Sequence, residues 1–82
     1  MKKDVTVPRL GSSDESDEVR ILRWIKTKGA KVRKGEALLE VETDKVNVEI
    51  ESPADGRLED INAREGEFVK FGAVVAVIDK PD

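Results

Sequence analysis

Apolar and polar residues alternate along most of this chain of 82 residues. Alternation with period two marks a strand with one buried face, because successive side chains point to opposite sides of a sheet. Val5 and Val7 mark a short first strand, stopped by Pro8, which has no N–H to give to a ladder. Val19 to Ile25 marks a second. In the next run Ala37, Leu39, Val41 and Thr43 share one face, while Leu38, Glu40 and Glu42 share the other. Val46, Val48 and Ile50 then point inward, with Asn47, Glu49 and Glu51 outward. Gly56 to Ile61 is a further strand, and there Leu58 and Ile61 break the period, as a bulge would. Ala73 to Ile78 is apolar on both faces and is expected to be the most buried strand. Helix periodicity is nearly absent. The pattern predicts an all-β domain with a turn every eight to twelve residues or so.

The pattern also repeats. Gly29-Ala30-Lys31-Val32-Arg33-Lys34-Gly35 and Gly66-Glu67-Phe68-Val69-Lys70-Phe71-Gly72 both fit Gly-x-x-Val-x-x-Gly, at an offset of 37 residues. The same offset pairs Ile21 with Leu58, Trp24 with Ile61, Leu38 with Val75 and Glu40 with Val77. Each unit reads strand, Gly-flanked turn, strand. Two such units predict a pseudo-twofold fold in which each half covers the other's apolar face.

Between the runs lie two conspicuous loops. Ser52-Pro53-Ala54-Asp55-Gly56 reads as a turn, with Pro presetting one backbone angle and Gly permitting positive φ. Gly11 to Glu18 is polar and carries the acidic run Asp14, Glu15, Asp17 and Glu18, a solvated loop or a recognition surface.

Composition narrows the chemistry. Charged residues are 40% of the chain, yet the regular recurrence of Val, Ile and Leu argues against disorder. Basic residues are scattered and the net charge is −3, so no nucleic-acid footprint is present. There is no cysteine and no histidine, which removes thiolate chemistry, Cys-based metal sites and the commonest general base. No apolar stretch approaches membrane-spanning length, and the N-terminus lacks a signal peptide's apolar run. Trp24 is expected half-buried against the core, and one of Phe68 and Phe71 inside it. Glu40, Glu42, Glu49 and Glu51 form an acidic outer face that also discourages edge-to-edge pairing.

The most informative segment is Glu40 to Ile50: two strands back to back with Asp44 and Lys45 at the tip. Asp44-Lys45 is not the Asn-Gly pair of a type I′ turn, so type I geometry is expected. A lysine alone on a tight hairpin projects outward, where an enzyme could attach something to it. Taken by itself, an exposed turn lysine is commonplace.

Several motifs, in order along nearly the whole chain, give this feature its meaning. They are Val7-Pro8-Arg9-Leu10-Gly11, Trp24, Gly29 to Gly35, Leu39 to Val46, Ser52 to Gly56, and Gly66 to Gly72. Together they resemble a lipoyl domain of the acyltransferase component of 2-oxo acid dehydrogenase complexes, and Glu42-Thr43-Asp44-Lys45-Val46 is the most specific part. The resemblance implies a flattened barrel of two four-stranded antiparallel sheets, with the lysine hairpin at one end and the chain termini at the other. It makes Lys45 the lipoylated lysine, with Asp44 and Val46 presenting it. It spans residues 1–79 and leaves 80–82 as the start of a linker. The loop Gly11, Ser12, Ser13, Asp14, Glu15 and onward is longer and more acidic than is usual in that family, where it lies near the hairpin and contributes to recognition by the decarboxylase.

On this resemblance the chain is a non-catalytic carrier whose cofactor is lipoic acid, held by an amide to Lys45. The implied partners are a lipoate ligase or lipoyl transferase, a thiamin-diphosphate-dependent 2-oxo acid decarboxylase, the acyltransferase core that passes the acyl group to coenzyme A, and dihydrolipoamide dehydrogenase. Neither nucleic acid nor membrane is expected, and the isolated domain should be a monomer. A prokaryotic cytoplasm is expected, or a mitochondrial matrix. A free lysine has a pKa near ~10.4, so roughly one amine in a few thousand is neutral at pH 7 and attachment needs an activated donor and an enzyme. Two rivals remain. A biotinyl carrier uses a similar fold, usually with Met-Lys-Met at the tip where this chain has Asp44-Lys45-Val46, and an unmodified barrel could serve as an adaptor.

Overall fold

The computed structural model describes residues 1–8, 18–43 and 46–81. Eight strands follow one another: β1 (Lys2–Thr6), β2 (Glu18–Trp24), β3 (Lys31–Val32), β4 (Ala37–Glu42), β5 (Asn47–Glu51), β6 (Gly56–Ile61), β7 (Phe68–Lys70) and β8 (Val74–Asp79). No helix occurs among the described residues. The strands form two four-stranded sheets with the orders β1-β8-β6-β3 and β5-β4-β2-β7, and every pairing is antiparallel. The all-β, two-sheet expectation therefore holds.

The repeat is visible in the backbone. Adding 37 to a residue number carries β2 onto β6, β3 onto β7 and β4 onto β8, while β5 and β1 complete the match at the two sheet edges. Each half donates its short strand to the other half's sheet: β3 pairs with β6, and β7 with β2. The hydrogen bonds that dock these strands recur in pairs. Gly29 N–H donates to the Leu58 carbonyl at 2.6 Å and Gly66 N–H to that of Ile21 at 2.6 Å. Within each half, Ile25 N–H to the Leu38 carbonyl and Asn62 N–H to that of Val75 also match, both 2.8 Å. The Gly-flanked turns have matching conformations, with φ of 93° and 89° at Gly29 and Gly66, a region open to glycine at little cost.

The core is where the inner faces meet. Val5, Val19, Ile21, Leu38, Leu39, Val41, Leu58, Val75, Ala76 and Ile78 are fully or almost fully buried there. Trp24 packs partly buried against them and donates Nε1–H to the Ala63 carbonyl at 2.8 Å, as expected of a half-buried indole. Phe71 also packs on the core, whereas Phe68 does not.

Four expectations change. Strict alternation places Leu38 outside with Glu40 and Glu42, but it is as buried as Leu39. The register of β4 against β5 shifts between Ala37 and Leu39, and this bulge turns two consecutive leucines inward. The same shift occurs at the matching place in β8, facing Val5/Thr6 of β1. The bulge expected in β6 is present between Leu58 and Asp60. Its twin in β2, between Ile21 and Arg23, was not foreseen. The final strand is not uniquely buried: β4 matches it, as symmetry requires, and Val74 is exposed. Gly56 does not have positive φ. Its role is close approach, since a Cβ there would stand 2.4 Å from the Asp79 carbonyl oxygen and 2.8 Å from Ile78 Cγ2.

Two outcomes follow from these contacts. Gly56→Ala must push β6 away from β8 and should cost about 2 kcal/mol or more in urea denaturation; an unchanged midpoint would show that the strands separate freely. Glu36 accepts from Arg33 N–H at 3.0 Å and pairs with Lys26 at 2.8 Å. The Lys26 hydrogen bond first, then that of Arg33, holds its carboxyl below the ordinary pKa. A carboxyl with a lowered folded-state pKa stabilises fully above its unfolded value and loses this as pH falls through the folded value. The melting-temperature gap between the wild type and Glu36→Gln should therefore be present at pH 7 and close below about pH 4; a gap that widens on acidification would contradict this.

Candidate functional site: the hairpin between the fourth and fifth strands

β4 and β5 pair antiparallel from Ala37 opposite Glu51 up to Glu42 opposite Asn47. One further rung closes the hairpin. Thr43 N–H donates to the Val46 carbonyl at 2.8 Å. The Thr43 hydroxyl donates to that same carbonyl at 2.8 Å and accepts from Val46 N–H at 3.0 Å. A short side chain here takes over part of the work of a backbone rung, as Ser and Thr do in turns. Only two residues, Asp44 and Lys45, join this frame. Both lie outside the described residues, as does the expected recognition loop of Gly11, Ser12, Ser13, Asp14 and Glu15.

The inward placement expected for Val46 is not found: its relative exposure is 58%. It shares the phase of Val48 and Ile50 but stands beyond the last sheet pair, and it does not belong to the buried cluster that forms the core. The frame is therefore a stem that leaves the body of the sandwich just before the tip. The alternation marks Thr43 only as a member of the inner face. Its hydroxyl before a two-residue turn was the available signal for its bracing role.

The outer face of the stem is charged. Glu42, Glu49 and Glu51 are exposed, and Glu40 accepts from Arg23 Nε at 2.9 Å. The chain ends lie away from this stem. Lys80 N–H donates to the Met1 carbonyl at 2.7 Å, the rung that matches Thr43 to Val46 under the repeat. Lys80 and Pro81 share a cleft with Lys34, Pro53, Ala54 and Asp55, the turn at the opposite end of β5 from Val46. Among the described residues no cluster of carboxylates could hold a metal ion. Every buried side-chain nitrogen or oxygen among them has a hydrogen-bond partner.

Thr43→Val keeps the shape of the side chain but removes its two hydrogen bonds. A loss of ~1 kcal/mol should make the Val46 amide exchange with solvent about five times faster, with little change in the core amides. An unchanged Val46 rate would mean that the hydroxyl does not brace the stem.

Comparison with known proteins agrees with this geometry. The family model described as "Biotin-requiring enzyme" matches residues 3–78. The dihydrolipoyllysine-residue succinyltransferase component of the 2-oxoglutarate dehydrogenase complex of Staphylococcus saprophyticus is 45% identical over 75 residues, which is 92% of this chain and 17% of that protein. The dihydrolipoyllysine-residue acetyltransferase component of the pyruvate dehydrogenase complex of Corynebacterium glutamicum is 43% identical over 82 residues, 100% of this chain and 12% of that protein. The chain thus spans less than a fifth of these relatives. The solution structure of the lipoyl domain of the Azotobacter vinelandii 2-oxoglutarate dehydrogenase complex superposes with a TM-score of 0.75 at 24% identity, covering 95% of this chain and 99% of that one, which shows the shared fold.

Proposed function

Since the chain belongs to the biotinyl- and lipoyl-attachment family, as a lipoyl domain of the acyltransferase type, we propose that Lys45 carries lipoic acid as an amide. The domain then serves as the mobile acyl carrier of a 2-oxo acid dehydrogenase complex. The observation that carries this reading is the stem itself: pairing continues to Thr43 and Val46, and only Asp44 and Lys45 remain to make the link. A cofactor fits this reading because Val46, the residue that follows the link, is exposed and stands outside the buried cluster.

In attachment, the Lys45 amine loses a proton, attacks the carbonyl of an activated lipoyl donor and displaces its leaving group. When bound, the lipoyl group supplies a disulfide and acyl-accepting sulfurs, which a chain without cysteine lacks. The protein contributes a stiff stem, a polar surface that can release each partner, and a tether. Tethering turns each encounter into an intramolecular event at raised effective concentration. The partners on this reading are a lipoate ligase or lipoyl transferase, the decarboxylase that loads the arm, the acyltransferase core and dihydrolipoamide dehydrogenase. Asp44-Lys45-Val46 at the tip favours lipoate over biotin, whose carriers usually have Met on both sides of the lysine.

Expression with lipoate and with biotin, each beside its ligase, followed by intact-mass measurement, tests the reading. One lipoyl group per chain is expected, absent in Lys45→Ala. A biotin adduct, or no adduct at all, would sink it.

A further inference from the structure

The pseudo-twofold provides an internal control for every surface residue. On the outer face of the hairpin sheet, one cross-strand row runs Phe68, Arg20, Glu42, Asn47, from β7 across β2 and β4 to β5. The matching row on the other sheet runs Lys31, Arg57, Asp79, Lys2. All eight residues are exposed. The central arginine and acid recur in both rows, so that part belongs to the scaffold. The ends differ: Phe68 stands where the other half has Lys31, and Asn47 where it has Lys2. Since an exposed lysine serves the fold at this position, the fold does not require a phenylalanine there. Phe68 is nonetheless 63% exposed and takes no part in the buried core. A bare aromatic ring offers a large apolar contact at small entropic cost, and such rings are common anchors in interfaces.

Its position ties the ring to the modified end. Phe68 lies in the row next to the stem, ~14 Å from β5 at about 4.8 Å per strand. It sits on the same face as the exposed carboxylates Glu42, Glu49 and Glu51. Any enzyme that works on an arm at Lys45 must approach this end of the domain.

We infer that Phe68 is the apolar anchor by which this domain docks on the 2-oxo acid decarboxylase that loads it, in a socket of apolar side chains rimmed by lysine and arginine; the inference rests on the carrier reading above. Carriers for different oxo acids share the lysine tip, so the tip cannot tell them apart. The ligase and the flavin enzyme act on chemistry common to all carriers. The decarboxylase is the partner selective for one oxo acid, and selectivity needs a handle outside the tip. The cationic rim answers the carboxylates Glu42, Glu49 and Glu51, which share the ring's face two and three strands away, beyond Arg20.

The test uses the wild-type chain with Phe68→Lys, Phe68→Ser and Phe68→Tyr, each lipoylated enzymatically and checked by intact mass and thermal melting. The cognate enzyme is whichever of the pyruvate, 2-oxoglutarate and branched-chain decarboxylases acylates the wild type fastest. For the Lys and Ser variants, kcat/KM for reductive acylation should fall about tenfold or more, mainly through KM, with lipoylation and melting unchanged. Phe68→Tyr should stay within about twofold of wild type. Lys31→Phe should change nothing. Equal kcat/KM in wild type and Phe68→Lys would overturn the inference, as would a loss confined to the lipoylation step, which would give the ring to the ligase. A wild-type chain that accepts no lipoyl group would instead remove the carrier reading itself.

Discussion

Neither half of this chain can bury its own apolar face, and the structure is the solution to that constraint. Each half lends a strand of two or three residues to the other's sheet, β3 to β6 and β7 to β2, so the halves interlock rather than merely stack. The two Gly-flanked turns make the exchange possible, because they reverse the chain tightly with φ near 90° and send the short strand across. A domain of this size has little core to spare. Interlocking lets Ile21, Leu38, Leu39 and Val41 meet Leu58, Val75, Ala76 and Ile78 with none left in water.

Function is written in departures from this symmetry. At one end, the rung from Thr43 to Val46 closes a two-residue link that holds Lys45; at the other, the matching rung from Lys80 to Met1 joins the two ends of the chain. One scaffold position has thus become a tip and its twin the rung between Lys80 and Met1, so the proposed reactive arm and that rung lie at opposite ends of the barrel. A second departure lies on the outer faces, where Phe68 replaces the lysine that its twin carries.

Much of this was legible in the sequence. Alternation gave the inner and outer positions of six strands, and the match of the two Gly-x-x-Val-x-x-Gly segments gave two halves that cover each other; the short strands β3 and β7 lie inside those segments, which read as turns. What escaped was set by bulges and by tertiary approach, neither of which period two records. Leu38 is inside because an extra residue breaks the period against β5, so a leucine that reads as outward is turned in. Gly56 reads as a turn glycine, yet it is needed because β8 passes within van der Waals reach of its missing side chain. Val46 keeps the inward phase but lies past the end of the core, and pattern alone does not say where a core stops. Lys45 itself was found by motif and resemblance. It lies outside the described residues, and the paired residues on either side, Thr43 and Val46, support the role proposed for it.

The central claim is that place within the two-residue link closed by Thr43 and Val46, and not exposure alone, selects the lysine for the proposed modification. Exchanging the two link residues, as Asp44→Lys with Lys45→Asp, keeps composition and charge while moving the amine by one residue. Enzymatic lipoylation of that double variant, followed by intact mass and peptide mapping, is the most direct test. The account predicts that the adduct is lost or falls to a trace while the fold is kept; an adduct formed at position 44 as fast as at Lys45 in the wild type would contradict it.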